Sequence, residues 1–219
     1  MKKILIILLM LVLSLSLASA QEKEKPLSGK KVVMVIAPKD FRDEELLEPM
    51  AILLDKGAKV VVASNSLDTA TGMSGAKIKP DILVKDIQTK DWDAIVLIGG
   101  QGAKIYWDDK VVHSILKEAV KEDKVIGAIC IAPITLANAG ILKGRKATVW
   151  DGVADKIKSK GAIYTKSDVE QDDKIITANG PQSAGKFGET LVEVLSKIQC
   201  KQTEQKSCGG KSSKTCPLY

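Results

Sequence analysis

Blocks of consecutive Val, Ile, Leu and Ala alternate along this chain with longer stretches in which apolar residues return every three or four positions. A block with no polar alternation is buried on both faces, the condition of a strand inside a parallel sheet, and the periodic stretches between supply crossover helices. The pattern predicts strands at 32–37, 60–64, 94–98, 125–129, 147–150 and 174–178, and helices at 42–56, 108–121, 153–159 and 183–198. Residues 70–84 break the rhythm with Gly72, Gly75 and Pro80 and predict a small hairpin or excursion. The expected fold is α/β: a doubly wound, mostly parallel sheet with helices on both faces. In the first helix, periodicity centres the buried stripe on Leu47, Met50 and Leu54, and by that measure none of Glu44, Glu45 and Glu48 stands out.

Ligands of open parallel sheets bind beyond the carboxyl ends of the strands. The sharpest strand end here is Val125-Ile126-Gly127-Ala128-Ile129, which runs into Cys130-Ile131-Ala132-Pro133 and a helix. Small residues two before and two after Cys130, namely Ala128 and Ala132, suit a nucleophile elbow that lifts its central side chain above the sheet. The helix N-terminus behind such a turn favours an anion, and so favours the thiolate over a thiol of ordinary pKa near ~8.5. The alternative is that Cys130 simply packs, as free cysteines usually do. A second strand end, Gly99-Gly100-Gln101-Gly102, lets backbone amides approach a ligand but lacks the spacing of a phosphate loop or a dinucleotide fingerprint. A third is Asp40-Phe41-Arg42-Asp43-Glu44-Glu45, whose acids also suit the first turn of any helix.

The ends and the charge narrow the possibilities. Lys2 and Lys3, an apolar stretch over 4–17 and Ala18-Ser19-Ala20 read as a cleaved signal peptide over 1–20, with Gln21 the mature start and 21–30 a linker. The chain is therefore expected to be exported, periplasmic or extracellular, with no stable membrane anchor once the leader is gone. The formal charge of +6 falls to +4 without Lys2 and Lys3, and residues 201–219, with four lysines against one glutamate, hold +3 of that. A nearly neutral body without clustered Lys, Arg and aromatic residues argues against nucleic acid as a partner.

Together these pieces resemble the DJ-1/PfpI superfamily, the Parkinsonism-associated deglycase relatives within the class I glutamine amidotransferase-like fold. The resemblance covers about residues 31–198. It is carried by Ala128-Ile129-Cys130-Ile131-Ala132-Pro133, Ile98-Gly99-Gly100, Glu45-Leu46-Leu47-Glu48-Pro49 and Ala178-Asn179-Gly180-Pro181. It implies a flavodoxin-like sheet over 31–199, a glutamate at Glu45 that reaches Cys130, and an anion pocket from the amides of Gly100 and Ile131. Gly99, Trp150, Gly180 and Pro181 would line that pocket. It further implies a homodimer, a small aldehyde substrate and neither cofactor nor metal.

Two departures matter. PfpI-type members assigned as peptidases have histidine directly after the cysteine, where this chain has Ile131, and relatives with histidine in the strand after the elbow helix are answered here by Trp150. The only histidine, His113, falls in the 108–121 helix, off the sheet rim, and is expected at the surface or its boundary. A Cys-His-Asp triad is then unavailable, which demotes peptidase activity. The remaining Cys130-Glu45 pair should titrate as one unit, its favoured state a thiolate bonded to a protonated Glu45. By resemblance it suits a glutathione-independent glyoxalase (a glyoxalase III-like hydro-lyase turning a 2-oxoaldehyde into a 2-hydroxy acid) or a related deglycase. A redox sensor oxidised to a sulfinate and a non-catalytic envelope binding protein are the alternatives.

Residues 200–219, rich in Lys, Ser and Gln, are expected to be a disordered tail. Cys200, Cys208 and Cys216 recur there every eight residues. In an oxidising compartment these suit one disulfide with a spare thiol, a candidate resolving partner for Cys130, better than a metal site.

Overall fold

The computed structural model describes residues 25–208, with side chains as far as Ile198. The expected leader, Cys216 and the side chains of Cys200 and Cys208 lie outside the described residues. The strands are β1 (Lys31–Val35), β2 (Lys39–Phe41), β3 (Lys59–Ser64), β4 (Ala70–Gly72), β5 (Lys77–Ile78), β6 (Ile82–Leu83), β7 (Ala94–Leu97), β8 (Val125–Ile129), β9 (Lys146–Ala147), β10 (Ile163–Tyr164), β11 (Val169–Asp172) and β12 (Ile175–Ala178). The helices are α1 (Asp43–Asp55), α2 (Lys110–Lys121), α3 (Pro133–Asn138), α4 (Ala154–Lys158) and α5 (Ala184–Cys208). The last of these runs on past the Ile198 end that periodicity predicts.

Seven strands form the central sheet in the order β11-β12-β8-β7-β1-β3-β6. Every pairing in it is parallel except β11 against β12. The chain winds outward from β1 to β3 and β6, then returns across β1 to lay down β7, β8 and β12. This places the topological switch point between β1 and β7. Side chains of β1 alternate between two cores, as the twofold period of a strand demands. Val33 and Val35 join Leu116, Ile134 and Ile157 under α2, α3 and α4, and Val32 and Met34 join Leu46, Leu53, Phe187 and Leu191 under α1 and α5. The doubly wound, flavodoxin-like architecture holds.

Two local expectations are corrected. The buried stripe of α1 is Asp43, Glu45, Leu46, Pro49 and Leu53, whereas Leu47 and Leu54 are exposed. Polar bonds and one close contact turn the helix. Asp43 accepts Ser74 N at 2.8 Å and Ala76 N at 2.7 Å, which fastens the β4–β5 hairpin to the helix start. At the other end α5 comes so close that a Cβ on Gly188 would lie 2.9 Å from Pro49 Cα. The second correction concerns 147–150, where only Lys146–Ala147 is strand, paired with β10 outside the main sheet. Beyond it Thr148 N donates to the Thr177 hydroxyl and Trp150 N to Cys130 O, so the chain leaves the ladder to cross over the elbow. The excursion at 70–84 contains the expected hairpin, β4–β5, joined to β2 in a three-stranded sheet.

Candidate active site

Three strand ends meet at the switch point. β8 delivers Cys130, β7 delivers Gly99 and Gly100, and α1, entered through β2, delivers Glu45. Cys130 has φ +62°, a left-handed conformation that costs a side-chain-bearing residue about 1–2 kcal/mol. Backbone bonds hold it there on both sides, from Cys130 N to Ala178 O and from Trp150 N to Cys130 O, each 2.9 Å. Ala128 and Ala132 are buried beside it, where larger side chains would collide.

Glu45 is fully buried. Its Oε2 accepts Gly99 N at 3.0 Å, while Oε1 meets no nitrogen or oxygen donor among the described residues. The carboxyl lies beside the Cys130 thiol, and the amides of Gly100 and Ile131 favour negative charge on the same sulfur. Gly99 makes this convergence possible, since a Cβ there would lie 2.5 Å from Glu45 Oε2 and 2.6 Å from Cys130 Cβ.

Burial pushes Glu45 up to about 7, against the lowering effect of its bonds to Cys130 and Gly99. Burial, followed by the charge of an ionised Glu45, pushes the Cys130 thiol up to about 12, against the two amides that favour its anion. Two adjacent anions are thus disfavoured, and the pair gives up its first proton near pH 7 while holding the second far above neutrality. The Gly100 and Ile131 amides oppose the rise at sulfur and are the groups here that favour a thiolate.

This pairing has a measurable consequence for folding. Glu45 holds its proton to a higher pH when folded than the ordinary value of 4.5, so the native state loses stability as pH rises from 4.5 to about 7. The loss is on the order of 3 kcal/mol for a group this buried. Glu45→Gln is therefore expected to melt like the wild type at pH 4 and well above it at pH 8. Parallel melting curves across that range would show that Glu45 is not held protonated.

The cavity above Cys130 measures about 230 Å³ and is lined by Arg42, Glu45, Met73, Gly100, Gln101, Cys130, Ile131, Trp150, Pro181 and Gln182. Of the residues expected to line it, Trp150 and Pro181 do so, and Gly99 and Gly180 do not. Gly99 lies behind the Cys130–Glu45 contact, and Gly180 caps the turn Pro181–Ser183, its carbonyl accepting Ser183 N. Gln101 and Gln182 directly follow residues expected at the site, and that adjacency is the signal that could have found them. Arg42 belongs to the 40–45 strand end that the sequence already sets on this rim, whereas Met73 carried no such signal, because the β4–β5 hairpin reaches the cavity only through tertiary folding. His113 is buried, contrary to expectation, because its Nε2 bonds Trp107 O at 2.9 Å and covers the start of α2. Trp107 in turn donates its indole N–H to Ile131 O at 3.2 Å, so His113 supports the elbow from behind and does not enter the cavity.

Known proteins place this geometry. The chain is 44% identical over 176 residues to an uncharacterized protein of Methanocaldococcus jannaschii, covering 79% of this chain and 84% of that one. It is 32% identical to the glutathione-independent glyoxalase DJR-1.2 of Caenorhabditis elegans, over 76% of this chain and 89% of the relative. The crystal structure of a ThiJ/PfpI domain protein from Brachyspira murdochii superposes with a TM-score of 0.75 at 29% identity, covering 77% of this chain and 99% of its own. With the DJ-1/PfpI family model matching residues 30–194, the chain belongs to the DJ-1/PfpI family.

Proposed function

We propose that this chain is an exported, glutathione-independent glyoxalase that converts small 2-oxoaldehydes to 2-hydroxy acids through Cys130 and Glu45. The observation that carries the reading is the buried Glu45 carboxyl beside Cys130, its Oε1 without a hydrogen-bond partner among the described residues, at a cavity that opens onto the thiol. The similarity to a relative named for the same activity supports it. In the reaction the Cys130 thiolate adds to the aldehyde carbon, the carbonyl electrons become an oxyanion held by Gly100 and Ile131 amides, and Glu45 supplies its proton. Glu45, now a carboxylate, takes the hydrogen from that carbon as a proton. The electron pair left behind forms an enediol, and reprotonation at the neighbouring carbon leaves a thioester. Water then cleaves the thioester, releasing the 2-hydroxy acid and the thiol. One carbon is oxidised and its neighbour reduced, so the sum is aldehyde plus water with no outside oxidant and no cofactor.

Export rests on the sequence of residues 1–20. A homodimer is part of the proposal, with the exposed Leu47 and Leu54 of α1 as apolar surface for a second copy. The second reading, a redox sensor, is favoured by the cavity that opens onto Cys130, through which a small oxidant reaches sulfur. Residues 21–219 incubated with methylglyoxal and no glutathione should consume it and release lactate. Absence of lactate, with sulfinate formation at Cys130 under mild peroxide, would replace the first reading with the second.

A further inference from the structure

Two large apolar side chains stand open to solvent at the cavity mouth. Trp150 is 49% exposed and Met73 is 43% exposed, and both line the space above Cys130. Their backbones are fixed, Trp150 N donating to Cys130 O and Met73 N to Phe41 O, each at 2.9 Å. The indole packs on its own turn. A Cβ on Gly152 would stand 2.8 Å from Trp150 Cζ3 and 2.9 Å from Cη2, so the six-membered ring lies against the backbone of residue 152. Apolar surface held in place beside a reactive sulfur is a preformed contact for an apolar group of the substrate.

The polar lining selects by charge. Arg42 is engaged by Glu44, with Nε 2.8 Å from Oε2 and Nη2 donating to Oε1 at 3.3 Å. Gln101 and Gln182 are neutral. A carboxylate or phosphate on the substrate would meet one lining cation, Arg42, whose charge is already offset by Glu44. A flat neutral group would meet an indole and a thioether, both of which contact aromatic rings favourably.

We propose that this rim selects 2-oxoaldehydes bearing a neutral aromatic substituent, with Trp150 and Met73 as the specificity-determining residues. The inference rests on the glyoxalase reading of the Cys130 site and names its substrate class. The aldehyde carbon reaches sulfur while the ring lies against Trp150, and contact of this kind corresponds to roughly tenfold in rate at limiting substrate.

Alkylation of Cys130 reads the rim without any turnover. Phenacyl bromide and bromoacetone both alkylate a thiolate at the CH2–Br carbon, forming the C–S bond as bromide leaves, and they differ only in phenyl against methyl beside the carbonyl. Rates at Cys130, followed by peptide mass and divided by the rates with free glutathione, should favour the phenyl reagent about tenfold in the wild type. Trp150→Ala should bring the ratio to about twofold or less, Met73→Ala should lower it, and Trp150→Phe should keep most of it. Equal normalised rates in the wild type, or a preference that Trp150→Ala leaves intact, would overturn the proposal. Values of kcat/KM for phenylglyoxal and methylglyoxal separate this proposal from the reading beneath it. A phenyl preference in alkylation with turnover of neither aldehyde keeps the rim and removes the glyoxalase. Turnover of both without a phenyl preference removes the rim.

Discussion

Cys130→Ser lowers lactate formation from methylglyoxal by about a thousandfold or more, which is ~4 kcal/mol of transition-state stabilisation. In the proposed reaction the thiol ionises against its burial, helped by the Gly100 and Ile131 amides, which favour negative charge on sulfur. A hydroxyl is far less acidic, and in serine enzymes a histidine base makes up the difference. No histidine lines this cavity, and His113 is bonded to Trp107 O, so the histidine base that a serine nucleophile uses is missing from the site. The substitution exchanges one small side chain for another, and folding should stay within ~1 kcal/mol of the wild type, which thermal unfolding checks. Steady-state lactate formation decides the matter. A Cys130→Ser protein that retains the wild-type rate would show that the turnover does not pass through this thiol.

The parts of this molecule legible in its sequence are those that local chemistry dictates. Continuous apolar blocks gave the buried strands because a parallel sheet covered on both faces leaves no position for polar alternation. The elbow was legible because Cys130 needs small neighbours on both sides. Glu45 was a harder case. Apolar periodicity rotated α1 towards Leu47 and Leu54, and only the family resemblance singled out the glutamate. Its burial depends on Gly99 N, fifty-four positions away in the chain, and no local pattern encodes that bond. Trp150 shows the same limit. Its apolar neighbourhood reads as strand, but Thr177 and Cys130 draw its segment away from a ladder over the cavity. Met73 belongs to a hairpin placed by Asp43, whose acidic side chain looks in sequence like an ordinary first-turn residue.

Gly100→Ala tests the other half of the site, the oxyanion donors, and should be severely damaging for a change of one methyl group. Gly100 has φ +90°, and its missing Cβ leaves room for the backbone of β2: a methyl would collide with Arg42 N, Asp40 O and Phe41 C. None of these yields freely. Arg42 N donates to Gly99 O at 3.1 Å, and Ala103 N donates to Gly100 O at 3.1 Å, so the turn is tied on both sides. Left-handed backbone strain and backbone collision together should cost on the order of 3–5 kcal/mol in unfolding free energy. The displaced amide should lower kcat a further ~100-fold in whatever fraction stays folded. Gly144→Ala is the control, because Gly144 also has a positive φ, +75°, but a Cβ there meets nothing within 4 Å. It pays the conformational strain alone, about 1 kcal/mol, and keeps its activity. Denaturant unfolding and lactate assays on the two variants separate the contributions. If Gly100→Ala is no less stable than Gly144→Ala and turns over at the wild-type rate, neither the close packing of β2 against this turn nor an oxyanion role for the Gly100 amide stands.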